Sequence, residues 1–181
     1  MIYQDPKEFA RLLEHFKHLT PRSRVLEIGS LFGDTLCEWM RSMDSPGIIV
    51  SIDCIVGPLD PRHRQQKDGH QIHWPRLARK FGLEFYCFND DSTTPLTVAN
   101  TKLVLPEVDF LMIDGGHDYA TVLADWTNYG PLVRPGGMVA FHDLGQQYPG
   151  VRPVWEQARK GHVSLEIVES PKLWGIGVLW R

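Results

Sequence analysis

The chain has little cysteine: Cys37, Cys54 and Cys87 are its only three in 181 residues. An odd number without metal-type spacing excludes a disulfide framework and a thiolate zinc site, and fits reduced thiols in a cytoplasm-like compartment. Each reads as a small core residue rather than a reactive one. Excess charge is also lacking. A formal net charge of −3 gives no global attraction to nucleic acid or an anionic membrane. No apolar run approaches the roughly 18–20 residues that span a bilayer. The segment Met1-Ile-Tyr-Gln-Asp-Pro6 lacks the basic and apolar regions of a signal peptide. Internal repeats and low-complexity tracts are missing. So is Gly-x-Gly-x-x-Gly, which weakens any pyrophosphate site. These absences leave a soluble, cytoplasmic, single-domain globular protein spanning residues 1–181.

What is present is an alternation of elements. Helices are expected at Pro6–His18, Asp34–Met43, Pro75–Phe81, Thr93–Leu105, Tyr119–Val133 and Val151–Lys160. Strands are expected at Arg24–Gly29, Gly47–Asp53, Leu83–Phe88, Val108–Ile113, Gly136–Phe141, Ser164–Glu169 and Gly175–Trp180. Strands alternating with helices imply a parallel sheet with right-handed crossovers. The last two strands are joined by Ser170-Pro-Lys-Leu-Trp174, too short for a helical crossover, so that pair should be antiparallel. The fold class is therefore α/β: a Rossmann-like, seven-stranded, mostly parallel sheet with a C-terminal antiparallel hairpin and helices on both faces.

In such sheets ligands bind beyond the carboxyl ends of the strands. Acids collect there: Glu27, Asp53, Asp91 beside Ser92, Asp114, and Asp143 after His142. One acid at a strand end is ordinarily a helix cap or a loop residue in solvent. Five on one edge are much harder to explain that way. In Val25-Leu-Glu-Ile-Gly-Ser-Leu-Phe-Gly-Asp-Thr35 a short strand runs into Glu27-x-Gly29-x-x-x-Gly33 and then a helix. Glycines there allow a tight turn and close approach to a ligand. Asp53 can accept hydrogen bonds from both ribose hydroxyls. Asp91 and Ser92 can offer an acceptor and a hydroxyl to an adenine edge; Asn89-Asp-Asp-Ser92 is equally readable as a capping turn into Thr93.

Over nearly its whole length the chain resembles a class I S-adenosylmethionine (SAM)-dependent methyltransferase. Val25–Thr35 is similar to that family's first motif, Ser51-Ile-Asp53 to its ribose motif, and Leu132-Val-Arg-Pro-Gly-Gly-Met-Val-Ala140 to the turn before its fifth strand. Ile113-Asp-Gly-Gly-His-Asp-Tyr119 with Phe141-His-Asp143 resembles the macrocin O-methyltransferase and cephalosporin hydroxylase-like branch. The resemblance implies that Glu27, Gly29 and Gly33 hold the methionine end of SAM. It puts Asp53 on the ribose and Asp91 and Ser92 on the adenine, with Asp114 also near the cofactor. It implies Mg²⁺ or another divalent cation as well.

Neighbouring fourth and fifth strands would bring Asp114 and Asp143 to one ion, with His142 as a third ligand. Metal-dependent relatives often carry an acid at the place of His142. A metal there would lower the pKa of a substrate hydroxyl, and His117 would take its proton as general base. The resulting expectation is an O-methyltransferase acting on a hydroxyl of a small molecule, a sugar or secondary metabolite. It is expected to use no nucleic acid or membrane partner, and homo-oligomerisation is allowed. A metal-independent methyltransferase and a non-catalytic SAM-binding module stay open beside it, and an NAD-dependent oxidoreductase is disfavoured. Residues 58–80 carry Arg62, Arg64, Lys67, Arg76, Arg79 and Lys80, and are readable as a lid or as a solvated basic loop. Trp74 and Trp155 are the tryptophans expected to wall a substrate; the others should pack the core.

Overall fold

The computed structural model describes residues 4–54, 73–170 and 172–181. Of the basic stretch, Arg62, Arg64 and Lys67 lie outside the described residues. Helices α1 (Pro6–His18) and α2 (Asp34–Ser42), the helical residues 73–80 (α3), α4 (Pro95–Val104), α5 (Tyr119–Tyr129) and α6 (Val151–Ala158) surround one sheet. Its strands are β1 (Arg24–Ile28), β2 (Gly47–Ile52), β3 (Leu83–Phe88), β4 (Val108–Ile113), β5 (Val133–Phe141), β6 (Val163–Ile167) and β7 (Ile176–Trp180). The order is β3-β2-β1-β4-β5-β7-β6. The first five strands are parallel, and β7 runs antiparallel to both β5 and β6. The expected α/β architecture and terminal hairpin are therefore present.

Period-two alternation divides the core into two layers. Val25, Ile49, Phe110, Met112 and Val178 pack against α1–α3 through Phe16, Leu36, Trp39 and Trp74. Leu26, Ile28, Val50, Leu111 and Phe141 face α4–α6 through Leu105, Val122, Tyr129 and Trp155. Phe16, Trp39 and Phe110 form a tilted triad with centroids 4.9–5.1 Å apart, a geometry that adds to simple burial.

Several boundaries shift for local reasons. The helix expected to reach Val133 stops at Tyr129, and Gly130–Leu132 tightens into a 3₁₀ turn around Pro131, which has no N–H to donate. β5 begins three residues before the expected Gly136, at Val133. Its register with β4 slips between Val108 and Phe110 to absorb the Pro-Gly-Gly segment. Thr94 is the cap of α4, its hydroxyl accepting from Thr97 N–H, with Pro95 in the first turn.

Three expectations about tryptophan are corrected. Trp74 is 1% exposed and sits in the core beneath Gly33 and edge-on to Phe85. Trp155 is fully buried, with its indole N–H donating to Glu166. Neither forms a wall of the cleft described below. Trp174, expected in the core, lines that cleft instead.

At the carboxyl edge the ladder runs one bond past each central strand. Gly29 N–H donates to Ile52, Asp53 N–H to Phe88, Asp114 N–H to Ile28, and His142 N–H to Ile113, at 2.8–3.0 Å. The residues just beyond the strands are thereby fixed as a rim, not left as loop.

Candidate active site

A cleft of about 610 Å³ opens along that rim, within the size range of small-molecule and cofactor sites. Its floor includes Gly29, Asp53 and Asp114, and Ser92, His117 and Tyr148 rise around it. Gly29 is required where it stands. Its φ is +88°, and a Cβ there would lie 1.9 Å from the Asp114 carbonyl oxygen. Only glycine lets the turn after β1 cross the end of β4 this closely. The turn continues through Leu31 at φ 47°, whose N–H donates a short hydrogen bond to the Asp53 carboxylate.

Four titratable side chains converge on the side formed by β4, β5 and the loops after them. His117 Nε2 lies 2.7 Å from Asp143 Oδ2, and its ring stacks on Tyr148 with centroids 4.1 Å apart. His142 is almost fully buried; its Nδ1 lies 2.9 Å from Asp114 Oδ1 and 3.2 Å from Asp143 Oδ2. Those contacts are close but off the N–H direction, so neither ring nitrogen makes an aligned hydrogen bond among the described residues. Asp143 takes a left-handed backbone, φ 63°, one of the few places a non-glycine residue does so.

The charges tune one another. Burial alone would raise the Asp143 carboxyl, but the two imidazoles outweigh it and hold it at about 2. Burial opposes protonation of His142, yet Asp114 and Asp143 carry it up to about 10. His117 is raised chiefly by its pairing with Asp143, so its imidazole is a better base than a free one.

Asp114, His117 and Asp143 each present a ligand atom within 4.8 Å of the others. This is the set one ion could reach. His142, expected as the third ligand, falls outside that group, although it lines the cleft and its Nδ1 lies 2.9 and 3.2 Å from the two carboxylates. Two carboxylates and an imidazole suit Mn²⁺, Fe²⁺ or Zn²⁺ as well as Mg²⁺.

The remaining expected residues fall in different places. Asp91 and Ser92 both line the cleft, but Asp91 Oδ1 also accepts from Thr93 N–H and Oγ1, an Asx turn that leads into the α4 cap at Thr94. Glu27 faces inward. Ser30 Oγ, Thr35 Oγ1 and Trp39 Nε1 donate to its carboxylate at 2.6, 2.7 and 2.9 Å. Burial still pushes it up to about 7. It anchors the glycine turn from beneath. Gly33 starts α2 at φ 74°, packed on Trp74.

Sequence reasoning passed over Gln4, Tyr148 and Trp174, which reach the rim from distant segments, and Asp125. The last lies on the buried face of α5 with Val122 and Tyr129, and burial raises it to about 7. An acid on an apolar helical stripe was the available signal.

Residues 26–144 match the family model described as a methyltransferase domain. The chain belongs to that family. No curated protein sequence matches it. Among solved structures, this methyltransferase-domain protein is similar to an O-methyltransferase from Bacillus cereus in complex with SAH: 19% identity, TM-score 0.68, covering 98% of this chain and 82% of that one. It is also similar to TomG from Streptomyces achromogenes, an O-methyltransferase of tomaymycin synthesis in complex with SAM: 16% identity, TM-score 0.64, covering 99% and 81%. A third is CalS11, a TDP-rhamnose 3′-O-methyltransferase of calicheamicin biosynthesis: 16% identity, TM-score 0.66, covering 96% and 78%. At these identities the likeness establishes the Rossmann-like methyltransferase fold.

Proposed function

We propose that the protein is a SAM-dependent O-methyltransferase, assisted by a divalent cation, that methylates a hydroxyl of a small molecule, with sugars and secondary metabolites the leading acceptors. The observation that carries this reading is one cleft holding two chemistries side by side. Asp53 and the Gly29 turn form a nucleoside-binding floor, and Asp114, His117 and Asp143 form a base-and-ligand cluster at its far end. The named neighbours, solved with SAM or SAH or named for sugar methylation, support SAM as the cofactor and a small-molecule hydroxyl as the acceptor.

In this mechanism Asp53 accepts from the ribose hydroxyls, and Asp91 with Ser92 meets the adenine edge. Gly29 allows the backbone to lie against the cofactor, while Glu27 and Gly33 hold that turn in shape. Asp114 and Asp143, with His142 as the third ligand, would hold the cation, which leaves His117 to act as base. When bound, the cation would fix the acceptor oxygen and lower its pKa. His117, kept basic by Asp143 and oriented by its stack on Tyr148, takes the hydroxyl proton. Bound SAM would supply an electrophilic methyl group that leaves its sulfur as the acceptor oxygen bonds to it, and the cleft's part would be to hold oxygen and methyl in line. The low cysteine content accords with work in a reducing, cytoplasmic compartment.

A second reading is favoured by one contact. His142 Nδ1 already places a ring nitrogen within 2.9 and 3.2 Å of the two carboxylates, which suits a metal-independent site. Titration calorimetry of SAM, repeated with Mg²⁺ and with EDTA, tests the cofactor. Methyl transfer to a panel of hydroxyl acceptors, with and without chelator, tests the reaction. No SAM binding under any condition overturns the proposal, and full activity in chelator transfers it to the metal-independent form.

A further inference from the structure

Next to the main cleft is a small recess of about 40 Å³ lined by Gln4, Gly29, Leu31, Phe32, Thr35 and Asp114, among others. Gln4 is only 4% exposed, which is unusual for a polar residue. Its position is built. Asp5 caps α1, accepting from Lys7 and Glu8 N–H at 2.8 and 3.2 Å. Glu8 then clamps α1 to the far end of the sheet by accepting from Glu169 and Gly175 N–H at 2.7 and 2.9 Å. The residue just before the cap is thereby carried to the carboxyl edge of β1 and β4.

Gln4 Nε2 donates to Asp114 Oδ2 at 3.0 Å. A carboxylate can only accept, so the amide must turn its NH₂ to Asp114 and its oxygen the other way. That oxygen, Oε1, is buried and has no hydrogen-bond partner among the described residues. A buried acceptor without a donor is costly. The rest of the recess offers it little. Ser30 and Thr35 direct their hydroxyls to Glu27, and Asp34 and Asp114 add carboxylates to the lining. The recess is rich in acceptors and poor in donors, so the ligand group it fits is a cationic donor of the size of an ammonium.

We propose that Gln4 receives the α-ammonium of the cofactor's amino-acid end, its Oε1 accepting directly while its amide holds Asp114 beside it. This rests on the SAM reading above and deepens it: the N-terminal segment makes the site selective for a nucleoside carrying an amino acid over one without it. The test is calorimetry with two probes, S-adenosylhomocysteine and 5′-methylthioadenosine, the second lacking the amino-acid end. Gln4→Met keeps the side chain's length and removes both polar atoms. It is expected to weaken S-adenosylhomocysteine about tenfold or more, as for a lost hydrogen bond to a charged group, and to leave methylthioadenosine unchanged. Gln4→Glu keeps the acceptor and loses the donor to Asp114, and should retain most of the wild-type affinity for S-adenosylhomocysteine. Equal losses for both probes, no loss for either, or a Gln4→Glu as weak as Gln4→Met would overturn the assignment while leaving the cofactor reading intact. Wild-type protein that binds neither probe would overturn both.

Discussion

Glu27→Gln should make the protein more stable at alkaline pH without harming its fold. The carboxylate has three donors: Thr35 Oγ1 and Trp39 Nε1 on Oε1, and Ser30 Oγ on Oε2. Glutamine keeps the first two on its oxygen. Its NH₂ would face Ser30 Oγ, which can accept once its own hydrogen turns to Ser51 Oγ, 2.7 Å away. What changes is the charge. Burial raises the Glu27 carboxyl from 4.5 to about 7. A raised carboxyl means the folded state binds the proton more tightly than the unfolded chain. The cost of ionising it is therefore absent below about pH 4.5 and grows as pH rises, reaching its full value above about 7. At 1.36 kcal/mol per unit the full cost is on the order of 3 kcal/mol. Denaturant unfolding of both proteins from pH 5 to 8.5 should show a gap of about 1 kcal/mol or less at pH 5 that widens with pH toward its full value, the glutamine variant the more stable. Asp125, also raised to about 7, is common to both and cancels in the difference. A constant gap across that range, or a variant destabilised at pH 8, would refute the reasoning. The same variant tests the cofactor assignment: an inward Glu27 predicts SAM affinity within about threefold of wild type, whereas direct contact with the methionine end predicts a much larger loss.

Asp53→Ala should weaken SAM binding by about tenfold or more, read by calorimetry, since paired ribose contacts and the brace on Leu31 go together; unchanged affinity removes Asp53 from the site. His117→Ala should slow methyl transfer by roughly 10²–10⁴-fold with SAM affinity nearly intact, the range for a positioned general base. If rate and affinity fall together, His117 is a cofactor contact or a structural residue. Asp109→Ala should cost about 2–4 kcal/mol in chemical denaturation. The buried carboxylate receives Arg24, Arg134 and the N–H groups of Ser23 and Arg24, and its loss orphans them; a cost below about 0.5 kcal/mol would mean those groups are satisfied by water.

The fold was legible because its signals are local. Alternating strands and helices, and a linker after β6 too short for a crossover, are enough for the sheet and its antiparallel end. The same logic, applied strictly, also places Glu27. Val25 and Glu27 are two apart on β1, and Val25 faces the α1–α3 layer. Glu27 shares that face and meets Trp39, so an acid read as a pocket wall is a buried anchor. Asp53, Asp114 and Asp143 were legible as residues of one cleft because they lie at or just beyond strand ends, where the sheet's geometry alone brings them to one edge. Gln4, Tyr148 and Trp174 were not. Their places depend on helix α1, the loop after β5 and the hairpin turn, which no short-range pattern locates.

Those distant segments are coupled by backbone contacts that leave little room for alternatives. A Cβ at Gly145 would lie 2.1 Å from the Leu173 carbonyl oxygen, and Leu144 N–H donates to the Gly175 carbonyl. The hairpin turn is thus held against the segment that follows His142 and Asp143. Glu8 holds the same turn from α1. The consequence is that the cleft's far wall, Trp174, and its N-terminal clasp, Gln4, are set by one set of contacts that also borders the charged cluster. A change at Glu8 or Gly145 should therefore act on the cleft from two sides at once, although neither side chain lines it. This is why the chemistry of the site can be read at the strand ends, while its shape can be read only from the assembled edge of the sheet.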